Sequence, residues 1–306
     1  MRNTFAKVLL AEAQVDPKIV LLTGDLGFGV LDQFQKKLPS QFFNCGVAEQ
    51  SMMGIAAGMA SEGFRPFVYS IGNFSTLRCL EQIRNDVCYM NNPVTVVSVG
   101  AGFGYGAQGY SHHAIEDISI MRTLPNMDVF LPADQFEVGL SLSLMLRSKN
   151  PSYLRLGKGG EEPIHQRDLV VSKSPIQVSH GKDVTICFAG AIGFEAKQAM
   201  KVLALEGIHA SLVSVPVLDF ESIGSFLKNC SEMPILSVEE NVLAGGFGSY
   251  LLEVSNTMNL DSKIYRLGVS NPTLLGIGSQ TYLRKQSKID VDAIIESVRN
   301  ILTSLK

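Results

Sequence analysis

None of the five cysteines, at 45, 79, 88, 187 and 230, forms a Cys-x-x-Cys pair, and their number is odd. That pattern excludes a zinc site or a disulfide framework and fits free thiols in a reducing cytoplasm. Charge is also sparse. Asp, Glu, Lys and Arg make up 18% of the chain and the formal net charge is −3, so the sequence lacks the basic footprint of a nucleic-acid or anionic-membrane binder. Long apolar runs are missing too. The charge-free stretch over 91–115 is broken by glycines and polar groups, so no membrane span is expected. Arg2 and Lys7 precede only Val8, Leu9, Leu10 and Ala11 before Glu12, in an amphipathic pattern that does not read as a signal peptide. The expectation is a soluble, cytoplasmic protein.

What is present is core. Hydrophobic residues reach 46% over 306 residues, enough for two domains of ordinary size. Short β-branched runs alternate with helical spacing along the first half. Strands are predicted at 18–23, 42–45, 67–70, 93–99, 128–131 and 152–156. Helices are predicted near 4–15, 31–38, within 44–63 from Glu49 on, 75–90 (with Leu77, Leu80, Ile83 and Val87 facing in), 115–124 and 134–148. Strict alternation of this kind implies a parallel, doubly wound sheet. Residues 161–182, rich in Gly, Pro, Lys and Glu at their approach and without period, read as a linker between a domain over 1–160 and another over 183–306. The second domain repeats the α/β pattern with strands at 183–189, 210–215 and 234–238. Its helices lie near 194–206, 222–229 and 246–258, and an amphipathic helix ends the pattern at 290–302.

The stretch 44–63 stands out. Glu49 is followed by Met52, Met53, Ile55, Ala56, Ala57, Met59 and Ala60, with no further charge until Glu62. The lack of a polar face predicts a buried helix. Gly54, Ala57, Gly58 and Ser61 leave one side nearly bare, although each interior glycine costs about 1 kcal/mol relative to alanine. A carboxylate in the first turn gains from the helix dipole, while burial raises its pKa. Glu49 is therefore either a capping acid or an acid that shares a proton with a ligand.

Other motifs are weaker. Gly104 to Gly109 matches GxGxxG after a strand, but the glycines run back through Gly102 and Gly100, and Tyr110-Ser111-His112-His113 follows rather than an apolar helix. A dinucleotide turn is not indicated. A glycine-rich approach delivering a histidine to a pocket fits better, since histidine suits proton transfer near neutral pH. The adjacent histidines, with Glu116 and Asp117 near, do not have metal-ligand spacing. Gly24-Asp25 lacks the second glycine of a Gly-Asp-Gly magnesium motif, and Asn44 follows too soon, so no metal site is expected on this chain. Arg155, at the end of the strand Tyr153 to Leu156, either holds an anion at the sheet's carboxyl edge or is an ordinary solvated arginine.

Together these stretches resemble the C-terminal half of transketolase, or the small subunit of a split transketolase. They are also similar to the matching halves of deoxyxylulose-phosphate synthase and of the beta subunit of pyruvate dehydrogenase. The first half carries the resemblance through Gly46-Val47-Ala48-Glu49-Gln50, through Phe74 to Gln82 with Arg78, and through Gly109 to Asp117. The second half carries it through Glu239-Glu240-Asn241 and Gly245-Gly246-Phe247-Gly248. The implied fold is two doubly wound α/β domains, a thiamine diphosphate pyrimidine-binding domain followed by a transketolase C-terminal-type domain.

The resemblance implies roles for several residues. The glutamate matching Glu49 bonds N1′ of the cofactor's aminopyrimidine and sets the tautomer that activates the thiazolium, which then acts as an electron sink. Phe74 or Tyr69 would stack on the pyrimidine. His112 would contact the sugar, Arg155 matches the general place of a phosphate-binding arginine, and Arg78 belongs with the substrate-side residues. The implied cofactors are thiamine diphosphate and Mg2+, with diphosphate and metal held by a second subunit in an α2β2 assembly acting on small sugar substrates.

Two departures bear on substrate. Gln108 stands where transketolases carry an acid four residues before the histidine, and Gly100-Ala101 stands where a His-Asp pair is common. The usual pentose phosphates are thereby put in doubt. Three readings follow: a split transketolase moving a two-carbon ketol unit; a beta subunit of a 2-oxo acid dehydrogenase or a split deoxyxylulose-phosphate synthase; or a non-catalytic regulatory or scaffolding partner.

Overall fold

The β-branched runs become the strands of two sheets. The computed structural model describes residues 1–166, 169–230, 232–272 and 276–305. The first sheet contains β1 (Ile19–Thr23), β2 (Phe42–Asn44), β3 (Arg65–Ile71), β4 (Thr95–Val99), β5 (Asp128–Phe130) and β6 (Ser152–Leu156), in the order β2-β1-β3-β4-β6-β5. Every pairing in it is parallel. Period-2 alternation sends Ile19 and Leu21 of β1 to one face and Val20 and Leu22 to the other. The helices Arg2–Ala13 and Gln135–Arg147 cover the first face through Phe5, Leu9, Val138 and Leu142. The helix Glu49–Ser61 covers the other through Met52, Met53 and Ala56. The sheet is doubly wound, as the alternation predicts.

The second sheet contains β7 (Ile176–Ser179), β8 (Val184–Ala189), β9 (Ala210–Ser214), β10 (Ile235–Val242) and β11 (Ile264–Val269), in the order β11-β10-β8-β9-β7. It is parallel except for β7, which pairs antiparallel at the edge. The two units share a core: Ile118 and Met121 of the first pack with Ala189, Val215 and Phe247 of the second. Backbone bonds cross the seam from Val242 N–H to the Ile115 carbonyl at 2.7 Å, and from Leu131 N–H to the Pro216 carbonyl at 2.7 Å.

Several expectations need correction. Residues 176–179, read as linker, form β7 instead, because Ile176 and Gln177 can pair with the exposed edge of β9. The single helix expected over 75–90 is broken into a turn at Gly72–Ser75, short segments at Leu77–Cys79 and Leu80–Gln82, and a wide turn over Ile83–Tyr89. Leu77 consequently points to solvent, while Ile83 and Val87 are buried. The helix Glu49–Ser61 is buried on one side only: Gln50, Ser51, Gly54, Ile55, Gly58 and Ser61 are exposed. Strand β11 and the helix Gln280–Gln286 were not expected at all.

Candidate active site

Strand β1 ends at Thr23, and the chain turns at Gly24-Asp25, where Asp25 takes a φ of 57°. The strain is held by a side-chain clasp: Asn44 Nδ2 donates to Asp25 Oδ1 at 2.9 Å, and Asn44 Oδ1 accepts from the Asp25 and Gly46 amides, each at 3.0 Å. This clasp joins the carboxyl ends of neighbouring parallel strands, the edge where doubly wound sheets place ligands. It also sets the start of the Glu49 helix. A Cβ on Gly24 would sit 3.4 Å from Glu49 Oε1, so bare backbone borders the carboxylate. Asp25 and Asn44, rejected as a metal pair from their spacing, do meet in space. Among the described residues no group of three or more His, Cys, Asp or Glu is placed to hold a metal ion.

Glu49 is 2% exposed. Its Oε2 accepts from Arg78 Nη1 at 2.9 Å. The Arg78 guanidinium lies 4.0 Å from the centroid of the Phe74 ring, a cation–π contact. Phe74 in turn meets the His112 ring edge-on at 5.1 Å. Four of the six residues named from sequence (Glu49, Arg78, Phe74 and His112) thus stand in one continuous line. Phe74 and Arg78 stand four residues apart, a spacing that helical backbone places on one face, and the short turns after β3 keep them together. His112 is half-buried, and its Nδ1 lies 3.0 Å from Ser111 Oγ. Burial, with the charges of His113 and Arg78, lowers its pKa, which favours the neutral ring near pH 7.

The other two residues stand elsewhere. Tyr69 is buried in β3 and stacks on Phe5 at 5.8 Å in the opposite core layer, because strand alternation turns it away from Glu49. Stacking on a ligand in the site would fall to Phe74 alone. Arg155 is neither open to an anion nor solvated. It is 3% exposed; its Nε donates to Asp117 Oδ2 at 2.7 Å, and Nη2 reaches Asp117 Oδ1 at 3.2 Å and the carbonyls of Ala114 at 2.7 Å and Glu240 at 3.0 Å. Asp117 also accepts from Tyr153 Oη at 2.5 Å. Strand β6 is buried on both faces, so a cation in it must be paired where it stands.

The sequence reading missed two groups. Lys158 is the exposed cation just past the end of β6, its ammonium 5.3 Å from the Tyr105 ring centroid. Its place in Gly157-Lys158-Gly159, beyond the strand, was the available signal. Asn73 donates to the carbonyls of Ser111 at 3.2 Å and His113 at 2.9 Å, tying the histidine segment to the turn that carries Phe74. The Gly245-Gly246 turn is structural. Glu239 accepts from the Phe247 and Gly248 amides at 2.6 and 2.9 Å, and a Cβ on Gly246 would lie 2.2 Å from Glu239 Oε2.

A buried carboxylate bordered by bare backbone, joined to an aromatic ring through Arg78, fits an aminopyrimidine: the acid can share a proton with a ring nitrogen, and the phenyl can pack on the ring. Comparison with known proteins identifies the family of both domains. Residues 1–160 match the family described as transketolase, pyrimidine binding domain, and residues 172–294 match transketolase, C-terminal domain. The chain is 35% identical over 259 residues to an apulose-4-phosphate transketolase subunit of Phocaeicola vulgatus, covering 82% of each chain. It is 32% identical to 1-deoxy-D-xylulose-5-phosphate synthase of Halothermothrix orenii, over 98% of this chain and 48% of that one. A solved structure described as a split gene transketolase, inactive beta4 tetramer, superposes with a TM-score of 0.87 at 32% identity, covering 99% of this chain and 97% of that one. No helix among the described residues is long and apolar enough to cross a membrane. The chain belongs to the transketolase family, as a pyrimidine-binding domain joined to a transketolase C-terminal domain.

Proposed function

We propose that the chain is the small subunit of a two-chain, thiamine-diphosphate-dependent transketolase that moves a two-carbon ketol unit between sugar or sugar-phosphate substrates. The observation that carries this reading is the line from Glu49 through Arg78 and Phe74 to His112. The bound cofactor would supply the nucleophilic carbon and the electron sink. This chain's residues do the rest. Glu49 holds a proton at the pyrimidine nitrogen, Phe74 packs on the ring, and Arg78 orients the carboxylate. His112, neutral near pH 7, exchanges a proton with a substrate hydroxyl. Lys158 takes the anion-facing role first given to Arg155. Diphosphate and Mg2+ fall to a second subunit, in an α2β2 assembly. The similarity to deoxyxylulose-phosphate synthase supports a second reading, a split enzyme of that type.

Tagged capture of the chain from its own cells tests the assembly. A stoichiometric second chain with bound thiamine diphosphate is expected; a lone chain without cofactor overturns it. In the reconstituted complex, Glu49→Gln should cost at least about 100-fold in kcat with assembly intact. Unchanged turnover removes Glu49 from the mechanism. Ketose phosphates assayed against pyruvate separate the two enzymes.

A further inference from the structure

The histidine loop is built from both domains. It leaves β4 at Gly100, returns at Ala114, and is closed by a bridge between Gly102 and Ala114, with both backbone bonds at 2.9 Å. From the first domain it is held by Asn73. From the second it is held by the Gly278 amide, which donates to the Gly106 carbonyl at 3.3 Å, and by one carboxylate. Glu240, 2% exposed at the end of β10, accepts at Oε1 from the Phe103 amide at 3.0 Å. Gln280 Nε2 reaches both of its oxygens at 3.1 Å, and Arg284 Nη2 donates to Oε2 at 2.7 Å. Arg284 also pairs with Glu195, so the cation is shared by two acids.

Packing repeats the pattern. A Cβ on Gly102 would lie 2.4 Å from Glu240 Cδ. One on Gly106 would lie 2.4 Å from Leu283 and 2.7 Å from the Gly278 carbonyl. Gly102 and Gly106 are bare where second-domain groups come against the loop backbone, whereas a Cβ on Gly104 would meet the Gly100 backbone at 3.1 Å. Phe103, fixed by Glu240, meets the His113 ring at 5.4 Å, and His113 Nε2 lies 3.3 Å from the Gly106 carbonyl. His112 is the next residue.

We infer that Glu240, with Gln280 and Arg284, is a positioning group: the second domain sets the place of His112 by holding the Phe103 amide. That His112 meets substrate rests on the proposed function; that Glu240 holds the loop does not. The test therefore uses the chain alone. Glu240→Ala should speed amide exchange over residues 102–106 about tenfold or more, with the helix Val291–Ser304 at its wild-type rate. The ring signals of His112, faced by His113 and Arg78, should titrate closer to an ordinary histidine as the loop gains water. Glu240→Gln, which keeps an acceptor for Phe103, should restore both readouts. Where Glu240→Ala does not fold, Gln280→Ala is read instead, with a smaller shift in the same direction expected. Loop exchange and His112 titration at wild-type values would overturn the inference. So would a rise in exchange shared equally by Val291–Ser304, which marks a merely structural role. In the reconstituted enzyme, Glu240→Ala should lower kcat and Glu240→Gln recover it. If the chain has no such activity, the exchange and titration results still decide the loop.

Discussion

Arginine and lysine three residues apart do opposite things here. Arg155 lies inside a strand buried on both faces and spends its guanidinium on Asp117 and two carbonyls. Removing one partner of such a pair leaves an uncompensated buried charge, which costs about 3–5 kcal/mol. Arg155→Ala should lower the chain's stability to urea by that order, and Arg155→Lys should recover little, because an ammonium cannot reproduce the planar fork. Lys158 lies past the strand end and is exposed. Lys158→Ala should change stability by less than about 0.5 kcal/mol. In the reconstituted enzyme it should raise KM for a phosphorylated ketose more than for its unphosphorylated analogue. An equal effect on both would remove Lys158 from anion recognition. The identity of residue 155 reads the same in either role. Its place inside the strand, rather than at the end, decides between them.

At the scale of elements, the helix Glu49–Ser61 carries the unanswered cost of its glycines. Beyond the chain neighbours and the helix's own backbone, no described atom lies within 4 Å of where a Cβ on Gly54 or Gly58 would stand. The chain alone gives these glycines no packing reason, and the proposed second subunit supplies one. Gly58→Ala should stabilise the isolated chain by about 0.5–1 kcal/mol through helix propensity, yet weaken association with the partner. Sedimentation of the mixture reads the second effect; tighter association would place the subunit contact elsewhere. Elements with an apolar period were legible in the sequence: the strands of the first sheet and the helix 134–148 stand where β-branched runs and periodic leucines put them. Elements held by polar contacts were not. Gln280–Gln286 buries chiefly Leu283 and Arg284, and its anchor is the pairing of Arg284 with Glu195 and Glu240, residues 89 and 44 positions away. Strand β11 is half-exposed along most of its length and shows no clean alternation. Of the site, Glu49, Phe74, Arg78 and His112 were visible as residues, and the four-residue spacing of Phe74 and Arg78 suits one helical face, but their meeting with Glu49 and His112 is a contact between distant segments that hydrophobic spacing does not encode.

For the whole molecule, the seam between domains is where buried charge concentrates, and that makes stability depend on pH. Glu239 lies in β10 next to the crossing bond from Val242 to Ile115, fully buried, with its carboxyl capping the helix Phe247–Thr257. Burial pushes its pKa up to about 7, against the two amides that favour the charged form. A folded pKa above the unfolded value gives stability that is full below the unfolded value, near 4.5, and is lost as pH rises through the folded value. His165 acts in the same direction at higher pH. Burial opposes its charge, but Glu137, 2.7 Å away, with Asp134 outweighs burial and raises its pKa above 6.5. Stability should therefore fall between pH 5.5 and 8, with Glu239 contributing about 2 kcal/mol. Urea unfolding at the two pH values measures the total. Glu239→Gln removes the titrating group while keeping its shape, so it should shrink the difference and leave the smaller step from His165. A wild-type chain that gains stability from pH 5.5 to 8 would mean that the helix amides, not burial, govern Glu239, and that the seam is stabilised by a carboxylate charged throughout.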